Sequence, residues 1–272
     1  MNEKIRFAVV GFGHIGKRHA TIINEYPDSE LVAVIDTDAN STQHSLYPTE
    51  VSFYNSMDAF IEAKIKVDVV NISTPNGYHC QYAIKALEAG YHVVIEKPMG
   101  LTRAECEAVL FKSLQMSKQV FVVKQNRYNP PIVFLKNLID DDKLGKIYSF
   151  QINCFWNRPP EYYSGWKGTK RLDGGTLYTQ FSHFIDLLYW LVGDVATINS
   201  AIKNFAHPNI EFEDTGAVIF EMKNGAIGTL NYNVNSFKKN MEGSFTVFAE
   251  KGTVKVGGQY LNELEYCHVQ GV

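Results

Sequence analysis

Three groups of residues in this chain have types and spacings that could do chemistry. The first is Gly11-Phe12-Gly13-His14-Ile15-Gly16, a G-x-G-x-x-G. Alone that is a weak signal, but here it directly follows a short apolar run, Ile5–Val10, and opens a helical pattern. That is the setting in which such a loop cradles a dinucleotide pyrophosphate. Gly11 permits the tight turn, Gly13 lets the backbone approach the phosphates, and Gly16 lets the helix pack on the strand. The free N–H groups of the helix N-terminus then face the phosphates. Asp36 ends the next apolar run, 20 residues after Gly16. An acid there holds the adenosine ribose hydroxyls and repels a 2′-phosphate. Thr37 and Asp38 follow with no arginine, so NAD is expected over NADP. The other two groups are Glu96-Lys97-Pro98 and a helical stretch bearing His183. An imidazole with a pKa of about 6.5 can accept a proton at neutral pH, and an ammonium at about 10.4 can donate a hydrogen bond. From spacing alone Lys97 is as readily a solvated loop lysine, and a lone helical histidine is usually structural.

The elements that must position these residues change character along the chain. Up to about Lys124, apolar runs alternate with helical ones: strands at Ile5–Val10, Leu31–Ile35, Val67–Ile72, His92–Ile95 and Val120–Val123, and helices at about Ile15–Tyr26, Gly77–Ala89 and Thr102–Ser117. This predicts a parallel, doubly wound sheet with helices on both faces. From residue 125 the pattern is α+β. Pro130 and Pro131 open a helix towards Asp140, and Ile147–Phe155 alternates. Hairpins are expected about Asn224-Gly225, between Phe220–Met222 and Ile227–Val234, and about Lys251-Gly252, between Phe245–Ala249 and Thr253–Val256. One long helix, Thr176–Val192, interrupts them. The expected organisation is therefore α/β, with a Rossmann domain over 1–124 and an α+β domain with an open, mostly antiparallel sheet over 125–272. The second domain is expected to bind substrate and make the oligomer contact. Because Leu261–Val269 reads as a strand with no closing helix after it, a trimmed C-terminus is expected.

Composition narrows the function classes. The chain has 272 residues, 45% hydrophobic, 20% charged, with a net charge of -3 spread along its length. That balance gives no basic footprint for nucleic acid and no membrane attraction. No apolar run approaches a membrane span, and Ile5–Val10 is too short for a leader, so the cytoplasm is the expected location. Cys80, Cys106, Cys154 and Cys267 are far apart and form no C-x-x-C, so reduced thiols and no metal site are expected.

Further motifs sharpen the reading. Ser73-Thr74-Pro75-Asn76, followed by His79, ends one strand; Glu96-Lys97-Pro98 ends the next; Asp173-Gly174-Gly175-Thr176-Leu177 leads the helix that holds His183 and Asp186. Together with the glycine loop these resemble the Gfo/Idh/MocA family of sugar and cyclitol dehydrogenases, over nearly the whole chain. The resemblance implies that Ser73, Thr74, Pro75 and Asn76 line the cofactor, with His79 packing that loop, and that Glu96 and Lys97 sit at the nicotinamide. It places His183 as the catalytic base, with Lys97 donating to the reacting hydroxyl, in a cleft between the domains. Burial beside the cationic nicotinamide is expected to lower both pKa values.

Thr179, His183 and Asp186 recur at helical spacing and are expected to share one face, opposite Leu177, Phe181, Phe184, Leu188 and Leu191. Many members carry Asp four residues before this histidine; here that position is Thr179, followed by Gln180, which puts an inositol substrate in doubt. Gln125-Asn126-Arg127-Tyr128-Asn129-Pro130 and Gly165-Trp166-Lys167-Gly168 look like the branch that oxidises C3 of UDP-N-acetylglucosaminuronic acid in surface-polysaccharide synthesis. There Arg127 and Lys167 would meet anionic groups and Tyr128 and Trp166 a sugar face; surface cations and core aromatics are the alternative. The leading expectation is thus an NAD-dependent dehydrogenase of a nucleotide-linked hexuronic acid. A free-sugar or cyclitol dehydrogenase and a non-catalytic NAD-binding regulator remain open. Ser149, Gln151 and Asn153, with Thr229, Asn231 and Asn233, make a polar but uncharged sheet face, from which a homodimer or homotetramer through that sheet is expected.

Overall fold

The structure, a computed structural model, describes residues 3–44 and 50–272. The chain divides into two compact units, one ending at Val123 and one beginning at Lys124.

The first unit is a parallel sheet with helices on both faces. Its elements run β1 (Ile5–Val10), α1 (His14–Glu25), β2 (Ser29–Ile35), β3 (Ser52–Tyr54), α2 (Met57–Glu62), β4 (Val69–Ile72), α3 (His79–Glu88), β5 (His92–Ile95), α4 (Arg103–Met116) and β6 (Val120–Val122). The strand order is β3-β2-β1-β4-β5-β6, all parallel. The order reverses beside β1, so the strand ends at β1 and β4 are the place for a ligand. Alternation along β1 splits the core. Ala8 and Val10 join a cluster with Ala83, Leu87 and Val109, and Val9 joins Phe12, Ala20 and Ile23 on the other face. Burial on both faces is why these strands read as continuous apolar runs. The short β3 and α2 escape a reading of periodicity: three residues of strand and six of helix carry too few repeats to register.

The second unit comprises α5 (Pro130–Asp140), β7 (Ile147–Phe155), α6 (Thr176–Thr179), α7 (Ser182–Leu191), β8 (Val195–Lys203), β9 (Thr215–Met222), β10 (Ile227–Asn233), β11 (Glu242–Ala249), β12 (Gly252–Gly257) and β13 (Glu263–Val269). Its strands order as β13-β12-β11-β7-β10-β9-β8. Every pair is antiparallel except β10 with β7. Both expected hairpins form, β9–β10 with Gly225 at φ 87° and β11–β12 with Ala249 beside Gly252. Phe150, Ile152 and Cys154 turn inwards onto α5 and α7, with Phe184, Leu187 and Leu230 in the same cluster. Tyr148, expected among them, is 53% exposed because it lies past the edge of that core.

The expected single helix Thr176–Val192 is two. Phe181 takes a non-helical conformation, φ −115° and ψ 12°, between α6 and α7. Its ring is fully buried, 5.0 Å from the Trp156 ring and 5.9 Å from Tyr232. Seating this ring in the core interrupts the helix, so Thr179 and His183 no longer stand one turn apart on a continuous face. Among the described residues, no helix is long and apolar enough to cross a membrane, and no group of three or more His, Cys, Asp or Glu could hold a metal ion.

Candidate active site

The glycine loop has the shape a dinucleotide requires. Gly11 has φ 89°, and a Cβ there would lie 2.7 Å from the Ser73 carbonyl oxygen. A Cβ on Gly16 would lie 1.8 Å from the Gly11 carbonyl oxygen and 3.4 Å from Val9. The close approach at Gly16 is therefore first to the turn itself and only then to the strand. Above Gly13 a Cβ would meet nothing within 4 Å. Gly13 caps α1 with no side-chain hydrogen bond, and the first turn holds no acid. The N-terminus of α1 thus opens at Gly13 onto free space, a cradle that fits a pyrophosphate. Phe12 is buried, while His14 and Ile15 are exposed around the rim.

Asp36 sits at the end of β2 as expected. Its Oδ2 accepts from the Phe12 N–H at 2.6 Å and its Oδ1 from the Asp38 N–H at 2.8 Å. The carboxylate thus fastens the glycine loop and keeps further lone pairs for a ribose diol.

One histidine ties the ends of β4 and β5 together, and a second ties the end of β5 to α1. His79, 1% exposed at the start of α3, reaches the Pro98 carbonyl through Nδ1 at 2.7 Å and the Thr74 carbonyl through Nε2 at 2.8 Å. It locks the Ser73–Asn76 loop to the turn carrying Lys97. Burial lowers its pKa, while the two carbonyls act the other way. The second is His19, one turn beyond Gly16 in α1. Its Nε2 lies 2.8 Å from Glu96 Oε1, and Glu96 Oε2 accepts from the Lys97 N–H at 3.0 Å. Burial alone would raise the Glu96 pKa, but His19 and the Lys97 N–H together hold it below the usual range. Sequence reasoning passed over His19. Its signal was position, since it follows the glycine loop at helical spacing and so points back to the strand ends. Asn76 is buried and the Lys97–Pro98 peptide is cis.

In the second unit, His183 is buried in the first turn of α7. Thr179, the last residue of α6, donates its hydroxyl to the Asp173 carboxylate. Asp173 is buried and also accepts the Gly168 N–H at 2.8 Å, joining the Gly165–Gly168 loop to the approach of His183. Burial raises the Asp173 pKa. Asp173 was legible only as part of the Asp-Gly-Gly motif. Asp186, expected beside His183, is used differently. Arg127 Nε and Nη2 donate to its two oxygens at 2.7 Å each, Lys124 stands 3.8 Å away, and Arg127 stacks 5.1 Å from the Trp190 ring. The Arg127 charge, expected to meet substrate, is thus matched inside its own unit. Tyr128 next to it is 81% exposed. Trp166 is partly buried and its carbonyl accepts from the Thr169 hydroxyl at 2.9 Å. Lys167 holds its ammonium 3.8 Å from the centre of the Tyr162 ring.

Residues 5–124 match the oxidoreductase family with an NAD-binding Rossmann fold, and residues 132–255 match the GFO/IDH/MocA C-terminal domain. The fold is similar to that of the WlbA dehydrogenase from Bordetella pertussis, whose structure is of a complex with NADH and UDP-GlcNAcA. The TM-score is 0.95, with 36% identity over 99% of this chain and 84% of that one. Among curated relatives, levoglucosan dehydrogenase of Pseudarthrobacter phenanthrenivorans is 23% identical over 97% of this chain and 76% of its own length. Inositol 2-dehydrogenase of Salmonella typhimurium is 28% identical over 81% of this chain. This chain spans 65% of that relative's length.

Proposed function

Since the chain belongs to the Gfo/Idh/MocA family of NAD-binding oxidoreductases, we propose that it oxidises a sugar hydroxyl, C3 of a UDP-linked N-acetylhexosaminuronic acid, with NAD as hydride acceptor. The observation that carries this reading is the cradle at Gly11–Gly16 with Glu96 and Lys97 clamped at the neighbouring strand ends by His19 and His79. The 36% identity to a dehydrogenase holding a nucleotide-linked uronic acid supports the substrate class.

NAD, when bound, supplies the hydride acceptor. The α1 N-terminus and the Gly13 backbone would hold its pyrophosphate, Asp36 its adenosine ribose, and Ser73, Thr74, Pro75 and Asn76 its other half. A carboxylate at Asp36 sets NAD above NADP. His183 takes the hydroxyl proton as hydride leaves the carbon. Lys97 donates a hydrogen bond to the developing alkoxide, and Glu96, held by His19, fixes the turn from which Lys97 projects. Thr179, bonded to the Asp173 carboxylate, shapes the approach to His183. Trp166 and Tyr128 offer faces to the sugar and base. Arg127, forked onto Asp186, helps to position α7 and keeps its Nη1 donors for a substrate anion.

Assembly belongs to the same reading. The outer face of the second sheet sets Ser149, Gln151 and Asn153 of β7 beside Ile227, Thr229 and Asn231 of β10 and beside Phe248, Thr246 and Ser244 of β11. Charges interrupt it at Glu221, at Glu242 of β11, which accepts from Ser244, and at Lys255, which pairs with Glu265 at 2.6 Å. An uncharged centre with exposed Ile219 and Ile227 fits the same face of a second copy. The site work takes place in the cytoplasm.

The test is a screen of nucleotide sugars, free sugars and cyclitols for NADH formation, with and without a 2-oxo acid such as 2-oxoglutarate. NADH from the UDP-linked uronic acid above all others is expected. Equal or greater rates with inositol or an uncharged free sugar would replace this substrate. Tight NAD binding with no oxidation of any sugar would support a regulatory protein.

A further inference from the structure

Arg158 was not among the residues that the sequence singled out, yet it is the centre of a polar cluster that includes Gln180, three residues before His183. It follows Trp156 at the end of β7. Its Nε donates to Gln180 Oε1 at 2.7 Å, and Nη1 donates to the Asn157 carbonyl at 2.6 Å and to Asn240 Oδ1 at 3.2 Å. Gln180 in turn donates to the Tyr162 hydroxyl at 2.7 Å. The guanidinium lies 5.1 Å from the Trp156 ring and 5.2 Å from Tyr162, while Lys167 stands over the same Tyr162 ring. The Arg158 carbonyl is fixed from behind by His207 Nε2 at 2.8 Å, and His207 is itself held by buried Asp214 at 3.0 Å.

Two cations thus share one aromatic ring, and among the described residues neither forms a salt bridge with a carboxylate. The contrast with Arg127, forked onto Asp186, is direct. Taking cations partly out of water without a counter-charge is unfavourable, and two together repel. Burial and Arg158 both lower the Lys167 pKa, and Asp173 offsets them only in part. The oxygens around Arg158 are neutral amides and carbonyls. They aim the fork without cancelling its charge, as suits a group that receives a planar oxyanion. Gln180, bonded to Arg158, lies three residues before His183 in the segment joining α6 to α7. An anion bound here therefore belongs to the reacting end of the substrate.

We infer that Arg158 and Lys167, mounted on Tyr162, form the subsite for the carboxylate of the reacting sugar and set the preference for a uronic acid over its neutral counterpart. The inference rests on the proposed sugar oxidation and specifies it.

The test measures binding of acid and neutral sugars to the NADH-loaded protein by calorimetry, with UDP-N-acetylglucosaminuronic acid and UDP-N-acetylglucosamine as one pair and free glucuronate and glucose as another. The diphosphate is common to both members of the first pair, so only the carboxylate distinguishes them. Arg158→Gln is expected to weaken the acid at least about tenfold, the scale of one lost charged hydrogen bond, with the neutral sugar nearly unchanged. Arg158→Lys should recover part of that loss. Lys167→Met, on a loop residue, should weaken the acid selectively and serves if Arg158→Gln does not fold. An equal loss for acid and neutral sugars would assign these cations to the diphosphate or to folding and overturn the subsite. No loss for the acid would do the same. If the UDP pair does not bind but the free acid does, with the same dependence on Arg158, the nucleotide part of the proposed function falls and the subsite stands.

Discussion

The two units build their candidate functional residues from different materials. In the first, the parts are backbone: an open helix N-terminus, a turn too tight for any Cβ, and two carbonyls bridged by His79. In the second, the parts are side chains brought together from separate elements. Arg158 comes from the end of β7, Tyr162 and Lys167 from the loop after it, Gln180 from between the helices and Asn240 from before β11. A backbone site tolerates few residue types at fixed spacing, so it leaves a motif. A side-chain site needs only that distant residues meet, so it leaves none. In the proposed function, backbone chemistry common to dinucleotides falls to the first unit and choice of sugar to the second.

The largest expected effect breaks the backbone half. Gly16→Ala places a methyl group 1.8 Å from the Gly11 carbonyl oxygen, against backbone that cannot yield without opening the turn. NAD binding should fall below detection by calorimetry, while hydrogen exchange in β7–β13 stays as in the unmodified protein. NAD affinity within a few-fold of normal would show that the cradle is not the cofactor site. Next is His183→Ala, expected to lower turnover by about 10²–10⁴ with NAD affinity intact, the range for a lost general base. The reading at high pH with saturating substrate is decisive. Activity within a few-fold of normal there would move the base to Lys97 or to a water held by Thr179.

These two predictions follow what was legible. The alternation of strands and helices, the glycine loop and Asp36 could be read because each depends on local spacing, whereas Lys97 was singled out by the family resemblance of Glu96-Lys97-Pro98. The break at Phe181 could not, since the residue continues a good helical pattern and is pulled out of it only by its contact with Trp156 and Tyr232. The same holds for Arg127. Its type and position suggest an anion, and only the fold reveals Asp186 already in its fork. Arg158 reads as one more cation near a Pro-Pro pair until it is seen to form no salt bridge among the described residues. Strand β8 was missed because all of it beyond Val195 is exposed at the sheet edge and its apolar alternation is weak.

Smaller effects sharpen the comparison. His79→Leu removes both contacts to the Thr74 and Pro98 carbonyls, and buried acceptors left unsatisfied cost about 1–3 kcal/mol each. NAD affinity and the melting temperature of the first unit should fall together, with the second unit unaffected; an unchanged NAD affinity would deny His79 its part in holding the loop. Asp36→Ser should weaken NAD and narrow its advantage over NADP by about tenfold. Equal affinity of the unmodified protein for both cofactors would remove the role assigned to that carboxylate. The smallest effect is one of pH on the second unit. Burial raises the Asp214 pKa, but the Ala206 and Phe205 N–H groups and the His207 and Asn235 side chains outweigh it, so it lies below the usual range. Its contribution to stability is therefore whole above the unfolded carboxylate value of about 4 and is lost as pH falls through the folded value. Denaturant midpoints of Asp214→Asn should lose part of the pH dependence seen below about pH 4. An unchanged acid profile would place that dependence on other carboxylates.

In the proposed function, residues of both units act on one sugar carbon. This is tested most directly by a single turnover with UDP-N-acetylglucosaminuronic acid carrying deuterium at C3 and the protein in excess with NAD. The account predicts NADH that carries the deuterium on its nicotinamide ring, together with a slower rate than for the unlabelled sugar. NADH without the label would move the oxidation to another carbon, and tight binding of both molecules with no NADH would contradict the dehydrogenase itself.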